Sequence, residues 1–153
     1  MKSIGGNIVM ADVTLSVTTG IHASGDVLAD VQEVTRALHC AGGSGYIESL
    51  VVVDGDDQGA AMDVIFFDGT ATLGTENSAV SITDANAAKI IGIVEVAAAD
   101  YVDLINSKVA FKEKLGILVD LSTGTSIYVG TVTRGTPTHS ASGITLRIGI
   151  VQD

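Results

Sequence analysis

The tightest limit on what this chain can fold into lies between Gly42 and Asp68. Tyr46 to Val53 is a β-branched and aromatic run, and Ala60 to Phe67 is a second one. In an extended chain the second run puts Met62, Val64 and Phe66 on one side and Asp63, Ile65 and Phe67 on the other. Between the runs, Asp54-Gly55-Asp56-Asp57-Gln58-Gly59 offers residue types that tolerate positive φ and bond their own backbone. The stretch therefore reads as a β-hairpin. Large apolar groups on both sides place it centrally in the fold, covered on both faces.

The rest of the chain follows the same period of two. Val9, Ala11, Val13, Leu15 and Val17 alternate with polar residues, and Ile144, Leu146, Ile148 and Ile150 alternate with Thr145, Arg147 and Gly149. Further strands are read at Val34–Cys40, where a helical turn is the alternative, at Ile90–Val96 with Ile90, Val94 and Val96 sharing a face, at Lys108–Lys112, at Leu115–Val119 and at Ile127–Val132. Thr83–Lys89 is the one short helix, with Thr83 or Asp84 as its N-cap. Residues 69–81 form a long polar surface connection. About eight to ten strands at roughly 8–12-residue spacing predict an all-β sandwich or barrel. The long connection after two apolar strands favours a jelly-roll or Greek-key β-sandwich over a meander. Residues 1–8 are expected to be a flexible N-terminal arm, and 9–153 a single β-sandwich domain.

Charge narrows the function. Eighteen acidic against eight basic residues give a net charge of −10. Nucleic-acid affinity depends on Lys and Arg contacts, and so does attraction to anionic membranes, so neither partner is expected. No apolar run approaches the roughly 18 residues of a membrane span, and the first residues lack a signal-peptide pattern, so the chain is expected to be soluble as made. Only 17% of residues are charged, which leaves more uncharged surface than a free monomer needs. The single cysteine, Cys40, excludes an intrachain disulfide and reads as a small buried hydrophobe.

Chemistry is sparse. Asp54 to Gly59 matches the opening of a calcium loop, D-x-D-x-[DN]-G, but Gln58 replaces Asp or Asn, and the twelfth position is Ile65 rather than a bidentate Glu. A solvated turn is the better reading. His22, His39 and His139 have no second ligand at metal spacing and read as surface or interface groups. Gly43-Ser44-Gly45 is neither a nucleophile elbow nor a phosphate loop. Asp26, Asp63, Asp68 and Asp100 are candidates for acid–base work, but no spacing selects a pair. No catalytic, cofactor or metal residues are assigned, and an enzyme is not expected.

Several segments carry a family resemblance. They are Ala23-Ser24-Gly25-Asp26-Val27, Ala41-Gly42-Gly43-Ser44-Gly45-Tyr46-Ile47-Glu48-Ser49-Leu50, Asp54 with Gln58, Asp63-Val64-Ile65-Phe66-Phe67-Asp68, and Lys89-Ile90-Ile91-Gly92-Ile93-Val94. Over residues 21–96 the chain resembles small virion proteins of tailed bacteriophages, the capsid decoration or cement proteins. The resemblance implies a β-rich module without catalytic residues, commonly a homotrimer. It would bind the major capsid protein on the exterior of the head after synthesis in the host cytoplasm, clamping capsomers together. The alternative is a tail or fibre module that binds a receptor or carbohydrate. That role wants exposed aromatics, and the chain has three Tyr, three Phe and no Trp. A tail-tube subunit would need a long polymerising hairpin, and none is identified.

Overall fold

The computed structural model describes residues 7–153. In chain order these form β1 (Asn7–Thr14), β2 (Val27–Val34), β3 (Ser44–Asp54), β4 (Met62–Phe67), α1 (Asp84–Ala87), β5 (Ile90–Val96), β6 (Tyr101–Asp103), β7 (Lys108–Lys112), β8 (Ile117–Asp120), β9 (Ile127–Thr133) and β10 (Ile144–Gln152). One antiparallel sheet runs β1-β10-β3-β7-β6, with β8 also paired to β3, and the other runs β2-β9-β4-β5. β7 and β8 lie end to end along one edge of β3, so they count as one interrupted strand. The two orders are then those of a pair of interleaved Greek keys. This is a jelly roll, read from strand order alone.

The core lies between the sheets and is built from the alternating positions. Val13 and Leu15, Met62, Val64 and Phe66, and Ile144, Leu146, Ile148 and Ile150 all enter one buried cluster, as the alternation predicts. The α-helix is also where expected, with the Thr83 side chain accepting from the Asn86 N–H.

β3 departs from strict alternation. Ile47 and Leu50 both point inward although they are three residues apart. The register against β10 shifts there, so Glu48 is an extra residue in β3. On the other side of β3 the same three steps, Ile47 to Leu50, face five steps from Ile117 back to Lys112. Lys114 (φ 58) and Gly116 (φ 59) absorb the surplus, and Leu115 N–H donates to the Glu48 carbonyl. Both neighbours of β3 thus break pairing at one level.

The structure corrects several readings. Residues 42–68 are not a hairpin, because β3 and β4 belong to different sheets and 55–61 cross between them. Asp54 holds that crossing: its buried carboxylate accepts from the Asp56 and Gly59 N–H groups, where a two-strand turn would pair backbone with backbone. The early strand is β2, and Val34–Cys40 is largely irregular after left-handed Arg36 (φ 56). Two register shifts against β9 hide the alternation of β2 from sequence. Asn7 and Ile8, assigned to the arm, pair with Gln152 and Val151, while residues 1–6 lie outside the described ones. Ile90 does not share a face with Val94 and Val96, because a shift opposite Phe66 and Phe67 turns it to the outer cluster. Cys40 is exposed rather than buried.

The 69–81 connection is more than a polar surface loop. Leu73 is buried against Val27, Ile65, Phe67 and Val132 on the outer side of the second sheet, with Ala71 and Ile82 beside it. A Cβ at Gly130 would approach Leu73 Cδ1 to 2.7 Å, so glycine there makes room for the inserted side chain. Asp30 anchors the connection by accepting from Leu73 N–H and the Thr72 hydroxyl. β4 is therefore covered on both faces, as expected, while the outer side of β3 is only half covered.

Candidate functional site

The outer face of the first sheet is where the chain presents itself. Paired residues on neighbouring strands share a face, so the register defines rows across it. One row is Ile8, Val151, Tyr46 and Leu118. Another is Asp12, Arg147, Val51 and Phe111. A third is Thr14, Thr145, Val53, Val109 and Val102. Ile8 is 74% exposed, Leu118 77%, Phe111 56% and Val102 61%. Leu104 and Ile105, in the turn between β6 and β7, extend the apolar edge. Within these rows the charges are Asp12 and Arg147, and they neutralise each other through an Nε–H donated to the carboxylate over 3.0 Å. The same face also carries the Met10, Gly149 and Ser49 row between the first two, and Ser44 with Asp120 beyond Tyr46 and Leu118. Its large exposed apolar side chains are therefore interspersed with small and polar ones.

Three of the four acids singled out in sequence are engaged separately, while Asp68 is exposed. Asp26 accepts from Ala23 N–H, Asp63 pairs with Arg134, and Asp100 pairs with Lys112 while accepting from Ala97 N–H. Asp63, Arg134, Asp100 and Lys112 line an open groove of about 610 Å³ together with Glu95. Both acid–base pairs there are closed on themselves. The Lys112 hydrogen bond, followed by the Ala97 N–H, holds the Asp100 carboxyl below its ordinary value. Tyr101 has a buried hydroxyl without a partner, and burial, then the charges of Asp54 and Asp100, push its pKa well above the usual phenol value.

The histidine readings divide. His39 is exposed, but His22 and His139 are buried, contrary to the surface reading. His22 Nε2 lies 3.2 Å from the Thr18 hydroxyl. Ile65, at the twelfth position of the calcium-loop pattern, sits in β4 and is buried. The solvated-turn reading fails, since Asp54 is fully buried.

No family model matches the chain, and no curated protein matches it. Among solved structures it is similar to a chain of deformed wing virus carrying the GFP gene, at 8% identity and TM-score 0.44, over 97% of this chain and 76% of that one. It is also similar to a chain of Desmodium yellow mottle tymovirus, at 9% identity and TM-score 0.30, over 100% and 91%. A putative sugar-binding protein from Bacteroides thetaiotaomicron follows at 12% identity and TM-score 0.30, over 99% and 84%. With every TM-score this low, the likenesses decide nothing about function, and the jelly roll stands on the strand order.

Proposed function

We propose that this chain is a structural virion protein of a tailed phage, a decoration protein that binds the outside of the head and stabilises capsomer contacts. The observation that carries the reading is the set of large apolar side chains left exposed on the outer face of the first sheet, Ile8, Tyr46, Phe111, Leu118 and Val102, presented on paired strands. The sequence resemblance over residues 21–96 supplies the partner class, the major capsid protein. A homotrimer at threefold positions divides the face between neighbouring copies and the shell. Burying it needs no chemistry, and a partner that binds only the assembled shell stabilises that shell by mass action.

The test adds purified protein to expanded heads lacking it. Wild type should bind and raise the heat resistance of the heads, while Leu118→Asp and Phe111→Ser should remain folded and fail to bind. Heads equally robust without the protein, with loss of adsorption to host cells instead, would establish the receptor-binding alternative.

A further inference from the structure

We propose that Asp54, Asp56 and His139 form a binding site for a divalent transition-metal ion of the zinc class. His139 is 2% exposed, and neither ring nitrogen has a hydrogen-bond partner. Burying an imidazole without partners is costly, and such groups in a folded protein demand an explanation. The ring is aimed at two carboxylates. Its Nδ1 lies 3.4 Å from Asp56 Oδ2 and 3.7 Å from Asp54 Oδ1, and the three atoms lie within 4.8 Å of one another.

Those separations suit a shared ion. Zinc holds nitrogen and oxygen ligands at about 2.0–2.2 Å in a tetrahedron, which sets neighbouring ligand atoms roughly 3.3–3.6 Å apart. The two edges from Nδ1 are at or just beyond that span, and the edge between the two carboxylates, within 4.8 Å, closes by turning the Asp56 side chain toward the ion. One imidazole nitrogen with two carboxylate oxygens is a borderline donor set, matched to zinc or manganese rather than to calcium, which takes oxygen ligands alone. Surrounding groups already orient the ligands, as outer partners do at metal centres. Asp56 Oδ2 accepts from the Ser140 N–H and hydroxyl, and Asp54 accepts from the Asp56 and Gly59 N–H groups. A Cβ at Gly143 would collide with the Asp56 carboxylate, so glycine there lets the two loops close. The nearby cation, Lys108, is turned to Asp57 instead. The Asp56 side chain is 24% exposed, which leaves a path for the ion and for water ligands.

The ligands come from the end of β3, from the crossing to β4 and from the loop between β9 and β10. An ion there clasps one end of the sandwich across both sheets. An imidazolium lying between two carboxylates uses the same geometry without metal, and the experiment separates the two.

Tag-free protein, stripped with a chelator, is titrated with Zn²⁺ by calorimetry, with melting temperature followed in parallel. One ion per chain and a raised melting temperature are expected. His139→Gln and Asp56→Asn should each weaken binding at least about tenfold, as loss of a ligand or its orientation does. Folding of the variants is checked by circular dichroism. Should either variant fail to fold, nitrogen NMR of the wild-type imidazoles decides: Zn²⁺ should move the His139 Nδ1 signal and leave His22 and His39 in place. No stoichiometric binding, undiminished binding by folded variants, or a response at His39 instead would overturn the proposal.

Discussion

Both sheets of this jelly roll carry large apolar side chains on their outer faces as well as inside, yet they treat them differently. On the second sheet, Ile65, Phe67 and Val132 lie beneath Leu73 and its neighbours, which the chain's own 69–81 connection lays over them. On the first sheet, Tyr46, Phe111 and Leu118 have no such cover. Both faces come from strands with large side chains on both sides. The difference teaches that an all-round apolar strand is a demand for cover without saying who supplies it. One face is satisfied within the chain, and the other is left for a neighbour.

The comparison is most easily broken at its aromatic members. Phe67→Ala should cost about 3–5 kcal/mol in denaturant unfolding, the range for a buried aromatic truncation, while Phe111→Ala should stay within about 0.5 kcal/mol. Equal losses would mean that the bare face is covered after all. Phe66→Ala, between the sheets, should match Phe67→Ala and fixes the scale.

Removing the cover rather than what it covers is the next step. Leu73→Ala should cost about 2–3 kcal/mol, toward the low end for buried leucine because a surface connection relaxes more than a strand does. Hydrogen exchange should then rise in 69–82 ahead of β4. A uniform rise would show that the cover and the sandwich unfold as one unit.

A smaller effect is expected from Gly130→Ala. Its Cβ would press on Leu73 and Val31, and extra core volume typically costs about 1–3 kcal/mol. Gly149→Ala on the first sheet probes the matching outward position, where the new Cβ meets the Ser49 hydroxyl and Met10 sulfur, ends of side chains that can turn away. Thermal melting should show the second-sheet variant less stable than the first-sheet one.

The smallest effect is in acid. Asp100 and Asp56 both titrate below their ordinary value of 3.8. At Asp56, burial pushes the pKa up, and the Ser140 hydrogen bonds with the His139 charge outweigh it. A lowered folded-state pKa contributes stability above the unfolded value and loses it as the pH falls through the folded one. Melting temperature should therefore drop as the pH falls below the ordinary value, and Asp100→Asn should make that drop shallower. An unchanged slope would show that the Lys112 pair is without consequence.

Much of this was legible because burial writes itself into sequence with a period of two. β1, β4 and β10 face as their alternation says. The strand at Tyr46–Val53 read correctly as a strand, but its bulge at Glu48 leaves no mark in composition, and β2 was missed because shifts in its pairing blur the alternation. The crossing after Asp54 read as a hairpin because turn chemistry names a bend but not the sheet it leads to. His139 was missed for another reason. It lies in a loop of Thr, Ser and Gly, and its partners are far away in sequence. The available signal was the odd density of carboxylates at 54–57. The bare face was half visible in the two-sided apolar run of Tyr46–Val53.

The pairing of β1 with β10 has a mechanical consequence. Asn7 stands opposite Gln152, so the two ends of the described chain leave the first sheet side by side. Tension applied between them loads the ladder crosswise, one hydrogen bond at a time, and peels β1 away like a zip, because antiparallel bonds lie perpendicular to the strands. A load spread over the broad side of the same sheet meets all its strands together. A module of this build yields first where β1 and β10 run out side by side.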